Sequence, residues 1–196
     1  MTSRNSVTNL RLPTRISLLE QIPKGGLAVE VGVLRGVMAT WIKRIIDPSC
    51  LVLIDMWQGT YQCFDQNAAF QHVQRLFMGD PSVEIWRGRS DAMIPELADR
   101  SVDFAYVDAD HTFEGCLTDL ELLLPKMKPG GWLCGHDYCQ GFDYGVVRAV
   151  AVFCDRYKQT ISLMTDEVQH PWRGSTGNQP KMLAYNSFGI RIHHES

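Results

Sequence analysis

The chain has 196 residues, 45% of them hydrophobic and 21% charged, and a formal net charge of −3, which suits one domain with one sizeable core. The charges are interspersed, with no basic run to neutralise a row of phosphates, so nucleic acid is not an expected partner. No apolar run approaches the roughly 20 residues that span a bilayer, and the opening MTSRNSVTNLRLPTR lacks the apolar core of a secretory signal; the cytoplasm is the expected location and no membrane partner is expected.

Residues 1–25 are expected to form an N-terminal helical extension. From residue 27 onward, β-rich apolar runs alternate with segments of helical period: LAVEVGV, GVMATWIKRII, CLVLIDMW, NAAFQHVQRLF and VEIWRG, then DAMIPELA, VDFAYVDAD, TFEGCLTDLELLLPKM, GGWLCGHDY, YGVVRAVAVFCDRY, TISLMTD and KMLAYNS. Such alternation points to parallel strands joined by crossover helices, and near-continuous apolar strands point to a sheet covered on both faces. The expected fold is therefore a doubly wound α/β sheet in a single domain, with a core over residues 26–160 and C-terminal strands plus a substrate loop over 161–196. In the helix expected over 112–124, Phe113, Leu117, Leu120 and Leu124 recur at helical spacing as core, and Pro125 stops it. Residues 58–66 and 169–180 read as loops. The six cysteines, Cys50, Cys63, Cys116, Cys134, Cys139 and Cys154, form no CxxC pair and read mostly as small core residues.

Chemistry-bearing residues gather at the ends of the expected strands. After the first strand comes Glu30-Val31-Gly32-Val33-Leu34-Arg35-Gly36, a glycine turn opening a helix at Gly36, where backbone can approach a ligand. Its ExGxxxG spacing is not the GxGxxG of a dinucleotide site. Asp55 ends the second strand, where an acid can accept from both hydroxyls of a ribose; a turn or cap acid is the alternative. Ser90 and Asp91 follow the third strand, as helix caps or as adenine contacts. Asp108 and Asp110 end the fourth strand and His136-Asp137 the fifth. Adjacent parallel strands would bring these ends together, and crowded carboxylates call for a cation. Oxygen ligands suit Mg2+, Mn2+ or Ca2+, and a nearby imidazole favours Mn2+ or Fe2+. Asp110 has the alternative of starting the helix near Thr112.

VEVGVLRG, LIDMW, RSDA, YVDADHTFEG and MKPGGWLCGHDY, in this order, resemble the class I S-adenosylmethionine-dependent methyltransferases. The closest likeness is to metal-dependent small-molecule O-methyltransferases of the macrolide-sugar and catechol-like kind, over roughly residues 26–160. The resemblance implies seven strands, the last, KMLAYNS, antiparallel. It implies S-adenosylmethionine held by Glu30, Gly32, Gly36, Asp55, Met56, Ser90, Asp91 and Asp108, and a divalent metal (Mg, Mn or Fe) held by Asp108, His136 and Asp137. Relatives have Asp-Asp or Asp-Asn at the last pair, so His136 is a departure. His111 stands where catechol-type relatives carry a lysine base, and an imidazole with a pKa near 6.5 can serve there. A homodimer is also implied.

The expected activity is in-line transfer of a methyl group to a hydroxyl of a small molecule, with Asp108 and His111 as catalytic residues. A metal-dependent hydrolase and a non-catalytic S-adenosylmethionine-binding protein are the alternatives. Tyr61, Phe64, Tyr138, Phe142, Tyr144 and Trp172 are candidate pocket walls or loop anchors.

Overall fold

The computed structural model describes residues 10–61, 64–139, 145–167, 170–172, 181–183 and 185–193. Cys63, Phe142 and Tyr144 lie outside them, as do the side chains of Tyr61, Phe64 and Trp172.

The apolar runs become the strands of one sheet. In chain order they are β1 (Leu10–Leu12), β2 (Leu27–Val31), β3 (Cys50–Asp55), β4 (Val83–Arg87), β5 (Val102–Val107), β6 (Met127–Tyr138), β7 (Ile161–Thr165) and β8 (Asn186–Arg191). Between them lie α1 (Arg15–Leu19), α2 (Val37–Ile45), α3 (Gln66–Leu76), α4 (Ser90–Met93), α5 (Phe113–Leu123) and α6 (Val146–Arg156). The order across the sheet is β1-β7-β8-β6-β5-β2-β3-β4. Only β8 is antiparallel to its neighbours, β6 and β7; every other pair in the sheet is parallel.

Alternation of side chains along the strands divides the interior into two layers. Val29, Val31, Val52, Ile54, Ala105, Val107 and Leu133 face one core with Leu120 of α5 and Phe153 of α6. Ala28, Leu51, Leu53, Phe104, Tyr106 and Cys134 face the other, with Leu18 of α1, Ile42 of α2 and Val73 of α3. This is the doubly wound α/β fold expected from the strand and helix alternation. The chain steps outward from β2 to β3 and β4, then returns to β5 on the other side, so the order reverses between β2 and β5. In open α/β sheets a ligand crevice opens at the carboxyl ends of the strands at such a point.

Several expectations are corrected. The sheet has eight strands, because the N-terminal extension contains β1, which pairs with β7, and its helix α1 is only five residues long. The antiparallel strand is NSFGIR rather than KMLAYNS; Lys181–Leu183 instead pairs with His170–Trp172 in a separate two-stranded ladder. The helix α2 begins at Val37, with Gly36 as its N-cap at φ 75°, and Pro125 sits in a short 3-10 turn, Leu124–Lys126, that extends α5. Cys116, Cys134 and Cys139 are buried and Cys50 and Cys154 half-buried.

Candidate active site

The glycine turn is built by close approach of β2 and β5. Gly32 has φ 89°, and a Cβ there would run into the carbonyl of Asp108. Its N–H donates to Ile54 O (2.9 Å), while Asp108 N–H donates to Val31 O (2.8 Å). Asp55, at the end of β3, reaches across to this turn. Its Oδ2 accepts from Val33 N (2.9 Å) and Leu34 N (2.8 Å), and its Oδ1 from Trp57 N (2.9 Å). With about four acceptor positions on a carboxylate, that leaves room for one ribose hydroxyl rather than two. Beyond Asp55, Met56, Gln58, Arg87, Gly88 and Arg89 line an open cavity of ≈ 360 Å³.

Ser90 and Asp91 follow this cavity. Arg89 is the N-cap of α4, so Ser90 does not cap it. Asp119, in the middle of α5, is only 2% exposed, and its Oδ2 has no hydrogen-bond partner among the described residues; burial raises its carboxyl and the Ser90 hydroxyl opposes that rise. Asp91 is held at the surface by Arg89 (2.7 Å). Asp110 stands outside the ionisable cluster: its Oδ1 accepts from Thr112 N (2.9 Å), and Thr112 is the N-cap of α5.

The cluster forms where β5 and β6 end. His111 Nε2 lies 3.3 Å from Asp108 Oδ1 and 2.9 Å from Asp137 Oδ2. Burial alone would depress this imidazole's pKa, but bonds to the two carboxylates outweigh it and raise it to about 10. Held by both carboxylates, His111 would be protonated at neutral pH, unlike an unperturbed imidazole. Asp137 is pushed upward by burial, but bonds from His111 and His136 prevail and hold it below the ordinary carboxylate range. Its backbone lies in the left-handed region at φ 53°, an uncommon conformation for a non-glycine residue.

His136 enters differently from the expectation. Asp108, His111 and Asp137 each offer a ligand atom within 4.8 Å of one another. The convergent set among the described residues therefore contains His111, and His136 stands beside it. His136 Nδ1 is 3.4 Å from Asp137 Oδ1 and 3.8 Å from Asp108 Oδ2. Its Nε2 is buried with no hydrogen-bond partner among the described residues, 4.0 Å from Glu167 Oε2, an ion contact too long for a hydrogen bond. Burial lowers this imidazole, yet Asp137 and Glu167 raise it to about 9. Tyr185 stacks on the ring at 6.4 Å between centroids.

Sequence reasoning missed Glu167, Arg15 and Tyr185. Glu167 Oε1 accepts from Arg15 N (2.7 Å) and its Oε2 from Arg15 Nη2 (3.3 Å). Arg15 opens α1, so the β1–β7 pairing carries the N-terminal segment up to the site. Beneath the cluster, Tyr106 Oη and Ser187 Oγ share a buried hydrogen bond of 3.0 Å.

A family model described as a methyltransferase domain matches residues 29–138, from within β2 to the last residue of β6. It spans more than half of the chain and contains the glycine turn, Asp55 and the cluster. The chain belongs to this methyltransferase-domain family. Among curated proteins none matches the sequence. Solved structures share the methyltransferase's fold. A putative rRNA methylase from Clostridium thermocellum superposes with TM-score 0.65 at 13% identity, covering 100% of both chains. An rRNA methylase from Streptococcus thermophilus does so with TM-score 0.60 at 10% identity, over 91% of this chain and 94% of the other. A precorrin-6y C5,15-methyltransferase from Geobacter metallireducens GS-15 gives TM-score 0.58 at 10% identity, over 90% and 84%.

Membership implies S-adenosylmethionine as methyl donor, and one buried acid beside the glycine turn suits a cationic group. Glu30 is 1% exposed, and its Oε2 has no hydrogen-bond partner among the described residues. Burial first, and then the charges of Asp108 and Asp55, push its carboxyl well above the ordinary range. An ammonium arriving beside it would relieve both conditions. The oxygen and nitrogen atoms of Asp108, His111 and Asp137 likewise make a donor set that suits Mn2+ or Fe2+. No helix among the described residues is long and apolar enough to cross a membrane.

Proposed function

We propose that this methyltransferase moves the methyl group of S-adenosylmethionine to a hydroxyl of a small molecule, assisted by a divalent metal held by Asp108, His111 and Asp137. The convergence of those three side chains beside the glycine turn carries the reading. A bound divalent metal would supply Lewis acidity that lowers the pKa of the acceptor hydroxyl. Glu30 would hold the cofactor's ammonium, and Asp55 would accept one ribose hydroxyl on Oδ1. Asp108, with 26% side-chain exposure against 8% for Asp137, is the carboxylate an acceptor entering from the cleft meets first. Its role is to orient that hydroxyl in line with the sulfonium methyl. His111 is committed to the two carboxylates, so we assign it to the ligand set and not to the base.

A small acceptor also agrees with the charge. RNA substrates call for cationic surface, and the formal net charge here is −3; the rRNA methylases that share the fold do so at 10% and 13% identity. We place the enzyme in the cytoplasm, and a homodimer is its proposed assembly. The test incubates metal-stripped protein with methyl-labelled cofactor and a metabolite extract, with and without Mn2+, alongside ribosomal RNA. Metal-dependent label on a small-molecule oxygen supports the reading. Label on RNA overturns the acceptor, and transfer indifferent to a chelator overturns the metal.

A further inference from the structure

Between the glycine turn and β4 runs a closed circuit of hydrogen bonds centred on Trp57. This residue is fully buried, and its backbone sits at φ 43°. Its backbone N–H donates to Asp55 Oδ1 (2.9 Å) and its indole N–H to Leu34 O (2.8 Å). Leu34 is itself at φ 50°, and its N–H donates to Asp55 Oδ2 (2.8 Å). Bulky side chains rarely adopt this backbone region and keep it only where surrounding bonds over-determine it. From the other side, Arg87 Nη2 donates to Trp57 O (2.6 Å), and its guanidinium lies 4.5 Å over the ring of Phe70. Phe70 in turn packs against Trp57 at 5.1 Å between centroids.

The circuit consumes the donors that a turn of this kind would otherwise offer a ligand. Val33 N–H and Leu34 N–H both point at Asp55. What the turn presents to a cofactor is therefore its shape, and that shape is held by Asp55 and Trp57 together. We infer that Trp57 is a positioning residue for cofactor binding: its two N–H groups lock Asp55 and Leu34, and Arg87 locks Trp57 from β4. The inference rests on the reading that S-adenosylmethionine occupies this turn.

Replacing Trp57 by Phe keeps a buried ring but removes the bond to Leu34. Loss of one buried hydrogen bond that organises the site is expected to weaken cofactor binding about 5- to 10-fold, with turnover at saturating cofactor within about twofold. Hydrogen exchange at residues 33–35 in the ligand-free protein should quicken by a similar factor. Arg87→Ala should move both readouts in the same direction and Arg87→Lys should restore part of the loss; these variants decide the matter if Trp57→Phe does not fold. Unchanged cofactor affinity together with unchanged exchange at 33–35 in a folded variant overturns the inference. If the wild-type protein binds no S-adenosylmethionine, the functional reading fails, and exchange at 33–35 still decides whether Trp57 holds the turn.

Discussion

His111 Nε2 stands 2.9 Å from Asp137 Oδ2 while also contacting Asp108, so one imidazole bridges the ends of two neighbouring strands. In the proposed reading this bridge is where a divalent cation would sit, with His111 rather than His136 in the ligand set. Calorimetry with Mn2+ separates the two: His111→Ala is expected to lose metal affinity by more than about 100-fold, whereas His136→Ala should lose no more than the roughly 10- to 100-fold of an outer-shell partner. Equal losses in both variants would return His136 to the ligand set.

Glu30→Gln tests the proposed contact to the cofactor's ammonium. The amide matches the carboxyl in shape and removes a desolvated ionisable group, so the ligand-free protein should be at least as stable as wild type. Affinity for S-adenosylmethionine should fall by roughly 10- to 100-fold, the scale of a lost charge-assisted hydrogen bond. Binding unchanged by titration calorimetry would remove Glu30 from the cofactor site.

Asp119 makes the methyltransferase's stability depend on pH. Burial dominates, opposed by the Ser90 hydroxyl, and raises its pKa to about 6; an unfolded Asp titrates near about 3.9. The folded state thus binds this proton more tightly. Its contribution to stability is complete below about pH 4 and is lost as pH rises through about 6. Asp119→Asn should flatten that part of the profile and, at pH 7.5, stabilise the fold on the order of 2 kcal/mol, a rise in Tm of several degrees. Parallel denaturation curves of the two proteins from pH 4 to 8 would refute the assignment.

Gly32→Ala should destabilise the fold by roughly 3 kcal/mol or more, combining a positive φ with a collision against the Asp108 carbonyl. Gly59→Ala is the control, since Gly59 has φ 74° but open space around it, and its cost should stay near about 1 kcal/mol. Urea denaturation of the pair separates backbone conformation from steric contact.

The two-layered sheet, and the gathering of the glycine turn, Asp55, Asp108 and Asp137 at its strand ends, were legible because their signals are local. Each strand is a short apolar run, and the acids and glycines that matter stand at the ends of those runs, where a parallel sheet must gather them. Arg15 and Glu167 carry no such signal: they are 152 residues apart in the chain, and only the β1–β7 pairing joins them. The role of His111 was obscured because its pKa depends on two carboxylates from different strands, one of them Asp137 with a left-handed backbone. Asp119 did leave a trace. It lies three residues after Cys116 and four before Leu123, on the apolar stripe of α5, where a carboxylate is out of place. KMLAYNS shows the opposite failure, since an apolar run marks a strand without saying which sheet it joins.

Strand β8 is inserted between β6 and β7, both of which precede it in the chain. During synthesis the two flanking strands exist before their common partner does, so each offers an unpaired row of backbone groups to any other strand nearby. Asp137 lies near the end of β6 and Glu167 just after β7, so their final spacing is set only when residues 186–191 thread into the gap. Completion of the catalytic edge and the end of exposure to aggregation are therefore the same late event in the life of the chain.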